Sequence, residues 1–176
     1  MAVNVEIKAR VRDMDALRAR AEALSDRPCQ ELTQEDIFFR SPQGRLKLRI
    51  LAEDEGQLIY YERSDVAGPK SSYYLISQTT EPRTLQAVLE AAWGIRGIVR
   101  KTRYLYLVGQ TRVHLDRVEG LGDFMELEVV LRPAQSAEWG QATALGLMEA
   151  LGIKTDDLVT GAYLDLLEAG SPASSE

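Results

Sequence analysis

Several things are scarce in this 176-residue sequence, and each scarcity excludes something. There is one cysteine, Cys29, so no disulfide can form within the chain. Cys29 sits beside Pro28 in an expected loop, with nothing adjacent that would lower its pKa, and reads as inert. There is one histidine, His114, which reads as a hydrogen-bonding neighbour on a charged strand and is assigned no catalytic role. No apolar run approaches the roughly 20 residues that span a bilayer. The opening Met1 to Glu6 lacks the basic-then-apolar layout of a signal peptide. A cytoplasmic protein with no membrane partner is therefore expected. Positive charge is also in deficit: 21 Lys and Arg face 27 Asp and Glu, a net charge of -6. That balance argues against a nucleic acid polymer as partner, and any anion site must be local.

What is present is ordinary in bulk, with 45% apolar and 27% charged residues, the profile of a globular chain. The length suits one domain, expected over residues 1–169 with a polar tail at 170–176. Val3 to Val11 alternates apolar and charged residues at period two, a strand. A helix follows from Asp13, carrying Leu17, Ala21 and Leu24. Strands are then expected at residues 35–40, 45–51, 57–63 and 72–78, punctuated by Gly44, an acidic stretch ending at Gly56, and Gly68-Pro69. Pro82 and Gly94 bracket a second helix with Leu85, Val88, Leu89 and Ala92 as its stripe. Three more strands are expected at 98–107, 111–119 and 123–131. Ser136 opens a helix carrying Trp139, Leu145, Met148 and Leu151, and Thr155-Asp156-Asp157 opens a last one carrying Leu158, Tyr163, Leu166 and Leu167. Trp93 and Trp139 fall on helix stripes and are expected in the core.

The informative feature is where charge sits on the strands. Asn4, Glu6 and Lys8 share one face of the first strand; Arg45, Lys47 and Arg49 do so in another; Lys101 and Arg103, His114 and Asp116, and Glu126 and Glu128 continue the pattern. For one strand alone, a face turned to water is the simpler reading. Taken together, the amphipathic helices need apolar sheet surface to pack on, which puts the apolar faces outside and lets the charged faces converge within. The expected fold is α+β: a closed eight-stranded antiparallel barrel with a charged interior and helices packed outside. Isolated buried ions cost several kcal/mol each, so such an interior must pair its charges or bind something. Arg and Lys suit phosphate oxygens, and a Glu-x-Glu strand with an Asp opposite suits Mg²⁺ or Mn²⁺.

These residues resemble the CYTH domains, the triphosphate tunnel metalloenzymes that include class IV adenylyl cyclases and several triphosphatases. The likeness runs from Asn4-Val5-Glu6-Ile7-Lys8 to Tyr163, through Gln34 to Phe39, Leu46-Lys47-Leu48-Arg49, Tyr61 to Asp65, Gly68-Pro69-Lys70-Ser71, Lys101-Thr102-Arg103, His114-Leu115-Asp116 and Gly120 to Glu128. Asn4 departs from the signature, standing where a first Glu is expected and offering a neutral oxygen. The resemblance implies a triphosphate held by Lys8, Lys47, Arg49, Arg63, Lys70, Lys101 and Arg103, metal ions on Glu6, Asp116, Glu126 and Glu128, and catalysis involving Lys8 and Glu6. Two assignments stay open: Arg63 has ambiguous strand parity, and Lys70 lies in an expected loop with a solvated role as the alternative. Glu35 and Asp36 are candidates for the tunnel mouth with an open role, and Tyr60, Tyr61, Tyr73 and Tyr74 read as packing residues before base-stacking ones. The implied substrate is ATP or another triphosphate-bearing small molecule, turned over in the class IV cyclase manner. Hydrolysis of an inorganic, thiamine or nucleoside triphosphate, or binding by a sensor without turnover, are the alternatives. A homodimer is open.

Overall fold

The structure is a computed structural model and describes residues 2–170. Its elements run β1 (Ala2–Arg10), α1 (Met14–Leu24), β2 (Gln30–Phe39), β3 (Arg45–Ala52), β4 (Glu55–Arg63), β5 (Lys70–Thr79), α2 (Pro82–Trp93), β6 (Ile95–Val108), β7 (Thr111–Val118), β8 (Gly122–Val130), α3 (Ala137–Ala150), a 3-10 turn (Thr155–Asp157) and α4 (Tyr163–Gly170). The eight strands close into an antiparallel barrel in the order β1-β5-β4-β3-β2-β6-β7-β8, with β8 returning to β1. The expected architecture is therefore present. The expected tail falls outside the described residues apart from Gly170, which ends α4. Among the described residues no helix is long and apolar enough to cross a membrane.

The apolar strand faces lie outside and are covered by helices. Val5, Ile7, Ala9, Leu115, Leu127 and Val129 are completely buried and pack with Met14, Leu17 and Ala21 of α1, Ala144 of α3 and Leu151 just after it. A second cluster joins Ile37, Leu46, Leu48 and Ile50 to Leu85 and Leu89 of α2. Local chemistry starts these helices. Asp13 accepts the Ala16 N–H at 3.0 Å, Pro82 stands at the head of α2, and Ser136 accepts the Trp139 N–H at 3.2 Å.

Three expectations need correction. Residues 158–162 are not helical: Leu158 bridges Ala9, the Val159 N–H donates to the Lys8 carbonyl, and Gly161 at φ +80° turns the chain before α4 begins at Tyr163. Lys70 belongs to β5 and not to a loop. Trp93, at the end of α2, and Trp139 are 50% and 41% exposed; Trp139 is so because the contact face of α3 is made by its small residues. Gly140 lies so close to β1 that an added Cβ would stand 2.6 Å from Val5 Cγ2, and this approach turns Trp139 and Leu145 outward.

Candidate active site

One end of the barrel is closed. Tyr163 and Leu164 at the head of α4 pack against Phe38, Val99, Val118 and Phe124, which point inward near that end. Gly97 on β6 makes room, because a Cβ there would collide with the Leu164 side chain. Ion pairs hold the plug in place: Arg45 reaches Asp165 at 2.8 Å and Asp65 of the β4–β5 loop at 3.0 Å, and Arg96 reaches Asp165 and Glu168 at 2.8 Å each. Above the plug lies a cavity of about 610 Å³ lined by all eight strands.

Strand alternation delivers the expected charges to this cavity. Lys8, Lys47, Arg49, Arg63, Lys101 and Arg103 line it, as do Glu6, Glu126 and Glu128. The parity of Arg63 is settled: it shares the inward face with Gln57, Ile59 and Tyr61, and its guanidinium lies 3.1 Å from Glu6. Two expected residues are not in the lining. Lys70 is buried with its ammonium donating to the Val66 carbonyl at 3.1 Å. Asp116 is fully buried behind Arg103, which grips both its oxygens at 2.7 Å, while the Tyr163 hydroxyl donates to it at 2.9 Å. Asp116 thus serves here as a counter-ion, with no oxygen left unengaged.

Sequence reasoning offered Asp36 only an open role at the tunnel mouth, whereas the structure places it at the centre of the basic cluster. It accepts from Arg49 through both oxygens at 2.8 Å and from Lys47 at 3.0 Å, with Lys101 at 3.6 Å. Its shared parity with Gln34 and Phe38 was legible in the sequence, but its direct pairing with Arg49 was not. Tyr163 was read only as one of the residues carried by the last helix and proves to floor the tunnel, with the ammonium groups of Lys8 and Lys101 4.2 and 5.0 Å from its ring centroid.

The electrostatics follow from crowding. Burial, then neighbouring Arg103, push the Lys101 ammonium down to about 7, and burial brings Lys8 to about 8 despite Glu126 3.5 Å away. Burial and the like charge of Glu126 push Glu6 up to about 7, with Arg63 pulling the other way. Asp36 and Asp116 overcome burial through their cationic partners and sit below the ordinary carboxylate range. His114 stands opposite Glu126, its Nδ1 3.9 Å from the carboxylate, and burial lowers its pKa, which keeps it neutral. Four buried polar atoms have no hydrogen-bond partner among the described residues: Asn4 Oδ1, Gln34 Oε1, Arg63 Nε and His114 Nδ1. Three of these residues line the cavity and Asn4 shares the inward face of Glu6, so the unmet bonding capacity converges on one space.

The metal ions implied by the resemblance can be tested on the donor set. Glu6 and Glu128 are directly paired across β1 and β8, with Glu126 two residues further along β8, and the like charges of Glu126 and Glu128 add to burial in raising the pKa of Glu6. A divalent cation would relieve that repulsion, and the orphaned Asn4 oxygen is a further hard donor of the same kind. The residues fit Mg²⁺ or Mn²⁺ in chemistry. No group of three acidic, His or Cys side chains is already drawn together to hold one among the described residues, because Arg63 and Lys8 occupy Glu6 and Glu126.

Comparison with known proteins agrees with this geometry. The adenylate cyclase CyaB of Aeromonas hydrophila is 28% identical over 181 residues, which is 98% of this chain and 92% of that protein. Among solved structures, PH1012 from Pyrococcus horikoshii superposes with a TM-score of 0.82 at 24% identity, covering 93% of this chain and 99% of that one. The Hippeastrum protein HpAC1, described as having a dominant triphosphatase activity, superposes at 0.68 with 18% identity, covering 97% and 98%. The CYTH domain model matches residues 2–163, the whole barrel together with the first residue of its plug, and the chain belongs to the CYTH family.

Proposed function

We propose that the protein is a metal-dependent enzyme that closes ATP to cyclic AMP and releases pyrophosphate. The observation that carries the reading is the union, in one dead-end tunnel, of six inward cations with the carboxylate group Glu6, Glu126 and Glu128. Lys47, Arg49, Lys101 and Arg103 are prepositioned on Asp36 and Asp116 and need no reorganisation to meet phosphate oxygens. In the reaction the ribose 3′-oxygen bonds to the α-phosphorus, the bond from that phosphorus to the β-bridging oxygen breaks, and pyrophosphate leaves with the electron pair. Glu6, which burial and the like charge of Glu126 raise to about 7 in the metal-free site, is suited to take the proton from the 3′-hydroxyl at its carboxylate, and Lys8 stabilises the charge gathering on the phosphates. A divalent ion held by Glu126 and Glu128 would supply charge neutralisation and acidify the attacking hydroxyl. The name of the Aeromonas relative, which aligns nearly end to end, supports this reaction.

The second reading keeps the site and replaces the nucleophile with water, which releases orthophosphate; the Hippeastrum protein favours it. The test is incubation with ATP, and separately with inorganic tripolyphosphate, in Mg²⁺ and in Mn²⁺, with products resolved by chromatography. Cyclic AMP and pyrophosphate, absent in the Glu126→Ala/Glu128→Ala variant, are the expected result. Orthophosphate alone moves the protein to the triphosphatases.

A further inference from the structure

The single histidine of the chain has no part in the reaction above and no partner in the fold. His114 lies on β7 and lines the cavity, with 4% of its surface exposed. Its Nδ1 has no hydrogen-bond partner among the described residues. Across the β7–β8 ladder it is paired directly with Glu126, yet Nδ1 stands 3.9 Å from Glu126 Oε1, beyond hydrogen-bond reach. The other oxygen, Oε2, lies 3.5 Å from the Lys8 ammonium, so the carboxylate turns one oxygen to a cation and the other to an imidazole nitrogen that does not bond it.

That separation has a chemical reading. A buried nitrogen left without a partner forfeits about 1–3 kcal/mol, so one that persists at this depth calls for a use. Two ligands of one divalent ion, each about 2.0–2.2 Å from it, can stand as much as about 4.3 Å apart, and 3.9 Å falls within that reach. Glu128 follows two residues along the same face of β8. Its carboxylate is held only by Arg112 at 3.3 Å, whose side chain is 47% exposed and has solvent to swing into. The nearby Arg103, which would otherwise repel a cation, is engaged at 2.7 Å by both oxygens of Asp116.

We propose that His114 is a nitrogen ligand of the divalent ion held by Glu126 and Glu128, and that it biases this site toward Mn²⁺ and away from Mg²⁺. Carboxylate and water oxygens suit both ions, whereas imidazole joins first-row transition ions far more readily than the harder Mg²⁺. The inference rests on the carboxylate metal site of the proposed function, but not on which triphosphate is bound or which bond is broken.

The test uses the tag-free full chain, in which His114 is the only histidine, with Mn²⁺ as the sole added ligand. Electron spin echo modulation of the bound Mn²⁺ is expected to show a coordinated nitrogen, and its frequencies to change when the chain is made with ring-¹⁵N histidine. That comparison needs no substitution and so does not depend on a variant that folds. Calorimetry supplies the selectivity: His114→Phe keeps a ring and removes the nitrogen. It should weaken Mn²⁺ by about tenfold or more, since even an outer-shell partner is worth about 10–100-fold, and leave Mg²⁺ within about twofold. Bound Mn²⁺ whose modulation ignores the label, or equal loss of both ions in the variant, overturns the nitrogen ligand and leaves the carboxylate site standing. Absence of saturable Mn²⁺ binding, or binding that Glu126→Ala/Glu128→Ala does not weaken, overturns the carboxylate site and the nitrogen ligand together.

Discussion

Asp36 shows how a single side chain can organise a binding site it need not touch. Its two oxygens hold Lys47 and Arg49, with Lys101 beyond, and its own side chain is almost wholly buried. Replacement by Asn would leave these buried cations facing one another with no counter-charge, a loss of about 3–5 kcal/mol for a broken buried pair. Asp36→Asn is therefore expected to lower the urea midpoint of the free protein. Tripolyphosphate should restore stability by more than it adds to wild type, because the ligand returns the missing charge; an equal gain in both proteins would count against the counter-ion role. Lys101 supplies a matching prediction for pH. Its folded-state pKa is depressed from 10.5 to about 7, so the stability it contributes is present above about 10.5 and is lost as pH falls toward 7. A bound polyanion favours the charged ammonium and pulls its pKa back up. Metal-free tripolyphosphate should then bind with proton uptake at pH 8 that is nearly absent at pH 6. Calorimetry in buffers of different ionisation heat measures it, and Lys101→Met should reduce the difference, leaving the part that Lys8, with its ammonium lowered to about 8, takes up.

At the scale of elements, the barrel depends on glycines that let helices come close. Gly97 admits the Leu164 side chain and so seats α4 in the end of the tunnel. Gly97→Val is expected to lift α4, weakening the Arg45 and Arg96 clamps on Asp165, and to expose residues 158–170 to limited proteolysis while the rest of the barrel stays resistant. Cleavage elsewhere first would refute this division. The same close approaches explain what the sequence did and did not disclose. Period-two alternation marked the strands, and the need of amphipathic helices for apolar sheet surface was enough to turn the barrel inside out. The stripe of α3 was misread because Gly140 and Ala144, which carry little hydrophobic signal, make its contact, while Trp139 and Leu145 face outward. The plug was misread because Gly161 and the bridge from Leu158 to Ala9 interrupt what looks like one continuous helical pattern. Asp36 was passed over since nothing local distinguishes a carboxylate that anchors cations from one at a rim. Its role appears only when β3 and β6 are laid on either side of it.

The molecule as a whole separates its charges by depth. A net charge of -6 coexists with a tunnel whose lining is dominated by cations, so the surface repels polyanions that the interior would attract. With α4 filling one end, a ligand must enter through the other, and only a chain end slim enough to thread past the walls can reach Lys8, Lys101 and Arg103. A long polyphosphate ester such as single-stranded RNA has no such end within its body and would meet the acidic exterior instead. Polyuridylate lacking a 5′-triphosphate is thus expected to displace a bound fluorescent triphosphate poorly even at a large excess of phosphate groups, whereas inorganic tripolyphosphate displaces it readily. Salt sharpens the distinction. Raising ionic strength from about 0.01 to 0.15 M shortens the screening length from about 30 to 8 Å, which weakens the repulsion between surface and ligand in solution but leaves contacts inside the tunnel largely unscreened. Triphosphate association should therefore quicken with salt while its dissociation rate stays nearly constant in stopped-flow measurements. A dissociation rate that rises steeply with salt would mean that the triphosphate is bound at the mouth and not in the buried zone.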